Sequence, residues 1–147
     1  MGARKRLRAE EIKATKSTTA FARLNDSPIA PRKMRLVADL VRGVEVNKAL
    51  NILQHNAKNA STSLAKLLRS AIANWEQKNE GKSIEEETLI VRSIEGGGGA
   101  MLKRIQAAPQ GRAHRVRKRS NHVTITVDGA KSVGIKWDKK RIQLVID

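Results

Sequence analysis

Three stretches in the first half of the chain carry apolar residues at helical spacing. The first begins at Pro31, which suits the opening turn of a helix, and ends before Gly43, a common helix stop. Its apolar stripe consists of Met34, Val37, Ala38 and Val41. A second short helix is predicted at residues 47–55. The third and longest helix has a stripe made of Ala60, Leu64, Leu67, Leu68, Ala71, Ile72 and Trp75.

The second half of the chain changes to the two-residue period of strands. Residues 88–95 and 122–127 alternate and are rich in β-branched side chains, which predicts two strands. Residues 18–25 alternate loosely enough to form another strand, and a turn is predicted at residues 25–28. Helices and strands together predict an α+β domain.

Residues 96–121 lie between the two predicted strands and have no helical periodicity. A connection of this length is uncommon in a compact domain. It is therefore either disordered or an extended hairpin that projects from the body and is ordered by a partner. Its four consecutive glycines, 96–99, lack the following helix start and the Gly-Lys-Ser/Thr of a phosphate-binding loop. A flexible or tightly turning piece of hairpin is the favoured interpretation.

A single domain is predicted at residues 20–128, and its hairpin covers about residues 88–127. The two ends of the chain lie outside this domain. Residues 1–19 are predicted to be a basic tail, 79–87 a solvated loop, and 129–147 a C-terminal extension containing Trp137 and a strand-like run. No apolar signal-peptide core follows the basic N-terminus, and no stretch approaches the roughly 20 apolar residues that span a bilayer. We expect a soluble, cytoplasmic protein.

The charge balance indicates a polyanionic partner. The chain has 30 Lys and Arg against 14 Asp and Glu, a formal net charge of +16. Nucleic acid is the commonest partner for such a chain, because each neutralised phosphate releases counterions. A basic protein of the membrane surface would need an apolar helix face edged with aromatics, which is missing. Phe21, Trp75 and Trp137 are the only aromatics, too few for a base-stacking platform. RNA recognition would rest on phosphate contacts and shape.

The sequence offers no pattern of catalytic or metal-binding residues. The chain has no cysteine, and His55, His114 and His122 lack metal-ligand spacing. The sequence shows no arrangement of a catalytic nucleophile with a general base and no pattern of paired acidic residues. We therefore expect no metal, no cofactor and no enzymatic activity. Because His114 and His122 lie among arginines, they are predicted to bind phosphate.

The strongest candidate for function is the basic stretch at residues 103–119. From residue 96 through 127 there is no acidic residue, while the stretch has seven cations: Lys103, Arg104, Arg112, Arg115, Arg117, Lys118 and Arg119. A run of charged residues most often forms a solvated face of the protein. Here the run lies between two strands, and its cations repel one another unless an anion binds, so contact with RNA or DNA is favoured. If most of the seven cations bind phosphates, the logarithm of the binding constant should fall with the logarithm of the salt concentration with a slope of about −4 to −6.

Three stretches together resemble the universal large-subunit ribosomal protein twenty-two family, in its bacterial form. They are residues 30–43 (APRKMRLVADLVRG), residues 66–74 (KLLRSAIAN), and the motifs LKRI, GRA and RKRSNHV within residues 102–123. The resemblance implies three helices packed on a small antiparallel β-sheet, with a long projecting β-hairpin. It implies a body near the outer end of the peptide exit tunnel and a hairpin that runs inward through rRNA.

The resemblance and the charge pattern give the expected site residues. The expected rRNA-binding residues are Arg32, Lys33, Arg35, Arg42, Lys66, Asn74, Lys103, Arg104, Arg112, His114, Arg115, Arg117, Lys118, Arg119 and His122. The expected tunnel-lining hairpin tip consists of Met101, Leu102, Lys103, Arg104 and Ile105. The implied partners are large-subunit rRNA, neighbouring ribosomal proteins and the nascent polypeptide, with no membrane and no small-molecule substrate.

This chain departs from the family pattern at several places. The glycine stretch is about two residues longer than expected, and residues 107–110 lose an arginine and move a proline. Residues 25–28 resemble an insertion, and 129–147 extend past the usual end. Two other classes stay open from the residues alone: a nucleoid-type DNA architectural protein with a basic β-arm, which would bend or compact duplex DNA, and an RNA-modifying enzyme with such an arm.

Overall fold

The α+β architecture is confirmed in the computed structural model, which describes residues 3–79 and 88–129. The predicted loop after Asn79 and the C-terminal extension lie outside these residues. The elements in chain order are α1 (Ala3–Thr18), β1 (Ala20–Ser27), α2 (Pro31–Val41), α3 (Val46–His55), α4 (Asn59–Lys78), β2 (Leu89–Ala107) and β3 (Ala113–Gly129).

The three strands form one antiparallel sheet in the order β1-β3-β2. The central strand, β3, buries every second residue in the body, from Asn121 through Val123, Ile125 and Val127. This alternation follows from the pleat, which sends successive side chains to opposite faces. One face of the sheet therefore packs on helices while the other is partly exposed.

The three amphipathic helices α2, α3 and α4 are confirmed, and the apolar stripes predicted for α2 and α4 face the core. Each member of the first stripe is at most 3% exposed, and Trp75 on α4 is 4% exposed. Of the long stripe, only Ile72 is partly rather than fully buried. The stop after α2 also holds: Gly43 adopts φ 74°, and its N–H donates to the carbonyl of Val91 at 2.9 Å. The end of α2 is thereby tied to the start of β2.

The N-terminal segment, predicted from the sequence as a basic tail, is a helix, α1. None of its residues is buried. Its Ala, Arg, Lys and Glu residues are strong helix formers, and it has no apolar stripe that would bury it against the rest of the described chain. Lys78 holds its C-terminal end, since Nζ donates to the carbonyls of Lys16 at 3.2 Å and Thr19 at 2.7 Å. The described residues thus contain four helices rather than three.

The predicted turn at residues 25–28 is also wrong in part, because β1 continues to Ser27. The pairing register shifts between Leu24 and Ser27, and Asp26 adopts φ 51°. The extra residue is absorbed as a bulge in an edge strand, where a bulge costs little pairing. The backbone N–H of Asp26 donates to Nδ1 of His122 at 3.1 Å, which anchors the bulge to β3.

Candidate nucleic-acid interface

Residues 96–121 form an extended hairpin rather than a disordered connection. Strands β2 and β3 pair from Leu89 opposite Gly129 to Ala107 opposite Ala113, with a register shift between Gly98 and Met101. Beyond that shift the strands leave the body, and at about 3.3 Å per residue the paired part extends roughly 20 Å further. The sequence-predicted cations at positions 103–119 lie on this distal part.

The face of the sheet that is apolar in the body becomes basic in the distal hairpin. On β3, the alternation that buries Asn121 and Val123 continues outward as Arg119, Arg117 and Arg115. Their partners on β2 are Met101, Lys103 and Ile105. We call these six residues the arginine face. Four of the six are cations, so a single face presents most of the hairpin charge.

One cross-strand pair on the arginine face brings two like charges together. Lys103 is directly opposite Arg117. Like charges opposite each other destabilise a strand pair, and neither side chain makes an ion pair with any described residue. An anion placed between the two would remove the repulsion. The opposite face carries Arg104 and Lys118 among less basic residues, so cations project to both sides.

The loop that closes the hairpin is at residues 108–112. The N–H of Ala108 donates to the carbonyl of Arg112 at 2.9 Å, and two residues take positive φ, Gln110 at 61° and Gly111 at 69°. Residues 101–105, expected to form the tip, therefore lie in β2, a few residues before the loop. Ile105 is 79% exposed there, and Leu102 is 57% exposed.

The four glycines belong to β2, and no helix start follows them. They are part of the hairpin, as predicted, but they lie in extended strand rather than in a tight turn. Two of them are in close contact with other elements. The carbonyl of Gly96 accepts hydrogen bonds from Nε and Nη2 of Arg35 at 3.2 and 2.9 Å. A Cβ on Gly99 would lie 2.8 Å from Oγ of Ser120 and 3.1 Å from Nε2 of His122. The lack of a side chain at Gly99 lets β2 pass close to β3.

Several predicted site residues of the body have polar groups engaged within the protein. Arg42 donates to the carbonyl of Ile94 at 3.1 Å and pairs with Asp39 at 2.8 Å. Asn74 donates to the carbonyl of Phe21 at 2.9 Å. Together with Arg35, these side chains fix the base of the sheet to α2 and α4. By contrast, Arg32, Lys33 and Lys66 are exposed on their helices.

The fold brings some of the predicted residues together in a groove. A cavity of about 590 Å³ between the body and the hairpin is lined by Lys33 of α2, by Lys58 before α4, and by Arg117, Lys118 and Arg119 of β3. Sequence reasoning missed Lys58, a lone lysine in a polar stretch with no motif around it. Only its approach to β3 in the fold could have identified it.

Other kinds of site are not found in the described part of the chain. Within residues 3–79 and 88–129, no group of three or more His, Asp or Glu residues could hold a metal ion. Among these same residues, the helices are too short or too polar for a membrane span.

Comparison with known proteins agrees with the family resemblance found in the sequence. Residues 22–128 match the family model described as ribosomal protein L22p/L17e. The protein named large ribosomal subunit protein uL22 from Christiangramia forsetii is 61% identical over 127 residues, covering 86% of this chain and 94% of the relative. The proteins of that name from Bacteroides thetaiotaomicron and Porphyromonas gingivalis are 58% and 56% identical, covering 90% and 87% of this chain and 96% and 95% of their own length. The chain belongs to the ribosomal protein L22p/L17e family.

Proposed function

We propose that this chain is a structural constituent of the large ribosomal subunit in the cytoplasm. It binds several rRNA segments, supports subunit assembly and lines the nascent-peptide exit tunnel with its hairpin. The family is a structural one without enzymatic activity, and the relatives carry the name of a large-subunit protein. Residues 20–128 form the RNA-binding domain of this proposal. Its partners are rRNA, neighbouring ribosomal proteins and the nascent chain.

The arginine face is the observation that carries the proposal. It joins four cations on one side of a strand pair, with Lys103 opposite Arg117, in a stretch free of acidic residues. RNA phosphates between such side chains replace repulsion with attraction, and arginine can contact a phosphate through two N–H groups. Cations on both hairpin faces allow contacts with more than one rRNA segment. Because repulsion opposes order, we expect the hairpin to be mobile when free and to become ordered on rRNA.

The proposed rRNA contacts come from the hairpin and from the exposed basic side of the helices. They comprise Arg32, Lys33, Arg35, Arg42, Lys66, Asn74, Lys103, Arg104, Arg112, His114, Arg115, Arg117, Lys118, Arg119 and His122. In this proposal Arg35, Arg42 and Asn74 act mainly by positioning, since their side chains already hold the base of the sheet.

The tunnel-lining role is proposed for residues 101–105 near the end of the hairpin. Leu102 and Ile105 expose apolar side chains in an otherwise basic segment, on opposite faces of β2. A side chain that binds phosphate needs a positive charge or a hydrogen-bond donor, and these two side chains have neither. Contact with a passing polypeptide fits them better, while the neighbouring cations hold the strand on rRNA.

Sedimentation of a lysate through a sucrose gradient after a high-salt wash tests the proposal. We expect the wild-type chain to remain with the large subunit in near-stoichiometric amount. Arg112→Glu and Arg119→Glu should lower incorporation strongly, because each removes a phosphate contact and adds repulsion. Lys48→Glu makes the same charge change at an exposed position of α3, away from the hairpin, and should incorporate like wild type. Release of the wild type into light fractions, or its sedimentation with DNA, would overturn the proposal in favour of a DNA architectural protein.

A further inference from the structure

The groove between the body and the hairpin combines four cations with an apolar floor. They come from three separate elements: Lys33, Lys58, and Arg117 with Arg119 on the arginine face of β3, while the side chain of Lys118, which also lines the cavity, belongs to the opposite face of the strand. None of these four side chains makes a hydrogen bond or ion pair with the described residues, and no acidic residue lines the cavity. The starts of α2 and α4 also line it, at Ala30 and Asn59, and add to the positive potential. The groove is therefore built to attract an anion.

The floor of the groove is unlike an ordinary phosphate-binding surface. Pro28, Ile29, Ala30, Leu36 and Ala60 supply apolar groups, and Leu36 on α2 is 56% exposed. A volume of about 590 Å³ lies within the range of about 300–1,000 Å³ typical of small-ligand pockets. An RNA duplex would bring phosphates, 2′-hydroxyls and base edges to this place, because the faces of its bases are stacked inside, and the apolar floor would stay unused.

We propose that the groove holds one unpaired nucleotide of RNA, with its base on the apolar floor and its flanking phosphates on Lys58, Arg117 and Arg119. This inference rests on the proposed rRNA-binding function and deepens it. The floor has no aromatic ring and few hydrogen-bonding groups, so the base is held by apolar contact. The site accepts any of the four nucleobases with similar affinity. When it is occupied, the nucleotide links the body-proximal part of the hairpin to the body.

The test measures the affinity of the full chain for a labelled uridine tetranucleotide by fluorescence anisotropy. A second probe is a ribose-phosphate chain of the same length without bases. At 0.1 M salt, Lys58→Ala should weaken both probes about fivefold, since one lost single-strand phosphate contact changes the salt slope by about 0.7. Lys48→Ala removes the same charge elsewhere and should have a much smaller effect.

The apolar floor is tested by Leu36→Ser, with Leu40→Ser as its control. Both leucines are exposed on α2, at 56% and 47%, but only Leu36 lines the groove. The wild type should bind the intact probe about fivefold more tightly than the abasic one, as expected for burying part of an apolar contact. Leu36→Ser should abolish that preference and Leu40→Ser should retain it.

The outcomes separate this inference from the broader function. Equal binding of intact and abasic probes, or equal effects of the Leu36 and Leu40 variants, would overturn the nucleotide site. Equal effects of the Lys58 and Lys48 variants would overturn it as well. Each of these three results leaves the proposed function standing if the wild-type chain still sediments with the large subunit. Loss of the wild type from that subunit would defeat the proposed function itself.

Discussion

Gly99 offers a sharp test of how the hairpin joins the body. The substitution Gly99→Ala places a methyl group 2.8 Å from Oγ of Ser120, a distance that real Cβ contacts do not reach. Oγ of Ser120 donates to the carbonyl of Ala100 at 2.5 Å, so moving it away breaks this hydrogen bond. Nε2 of His122, at 3.1 Å, and the backbone N of Asn121, at 3.4 Å, leave little room to shift in other directions.

The expected cost follows from three contributions. Forcing an extra methyl group into a packed site costs about 1–3 kcal/mol, and the lost hydrogen bond about 1 kcal/mol. Replacing glycine by alanine returns about 0.4–1 kcal/mol, because the unfolded chain has less conformational freedom to lose. We expect the free energy of unfolding to fall by about 2 kcal/mol. For a chain of this size, the melting temperature then falls by about 4–8 °C.

Urea unfolding followed by far-ultraviolet circular dichroism measures this change in free energy. Gly98→Ala is the matched control, since a Cβ at that neighbouring glycine would meet nothing within 4 Å. It should leave stability unchanged or raise it slightly. The double variant Gly99→Ala, Ser120→Ala should recover about 1 kcal/mol, because the clashing oxygen is gone. Equal stability of the Gly98 and Gly99 variants would refute the claim that β2 and β3 are in close contact here.

Three further substitutions test other features of the fold. Leu64→Ala, at a fully buried position of α4, should lower the free energy of unfolding by about 2–5 kcal/mol in the same urea assay. Lys78→Met should speed amide hydrogen exchange near the end of α1 about fivefold, because the carbonyls of Lys16 and Thr19 lose their donor; unchanged exchange would mean that Lys78 does not hold the helix. Gln110→Gly should slow exchange in the distal hairpin, since glycine adopts φ 61° without strain; faster exchange would contradict the loop geometry.

Much of the body could be predicted from the sequence because its signals are local. Pro31 and Gly43 bound α2, and the apolar stripes of α2 and α4 face the core as their spacing required. The change of period after α4 predicted the strands, and the acid-free basic segment predicted where cations would gather. These features depend on residues a few positions apart, whose geometry is set by the helical and extended backbone. The net charge and the family resemblance could likewise be obtained from the sequence alone.

Tertiary structure decided the features that depend on distant residues. The helix α1 buries no residue, so its sequence has no apolar periodicity from which it could be predicted. Lys78, at the C-terminal end of α4, holds the last turn of α1. Pairing register placed the closing loop at residues 108–112 and set Lys103 opposite Arg117. Lys58 joins Lys33 and the β3 arginines only because α4 begins beside the hairpin. Which strands pair, and in which register, is fixed by the packing of the whole core, so spacing along the chain could not reveal these contacts.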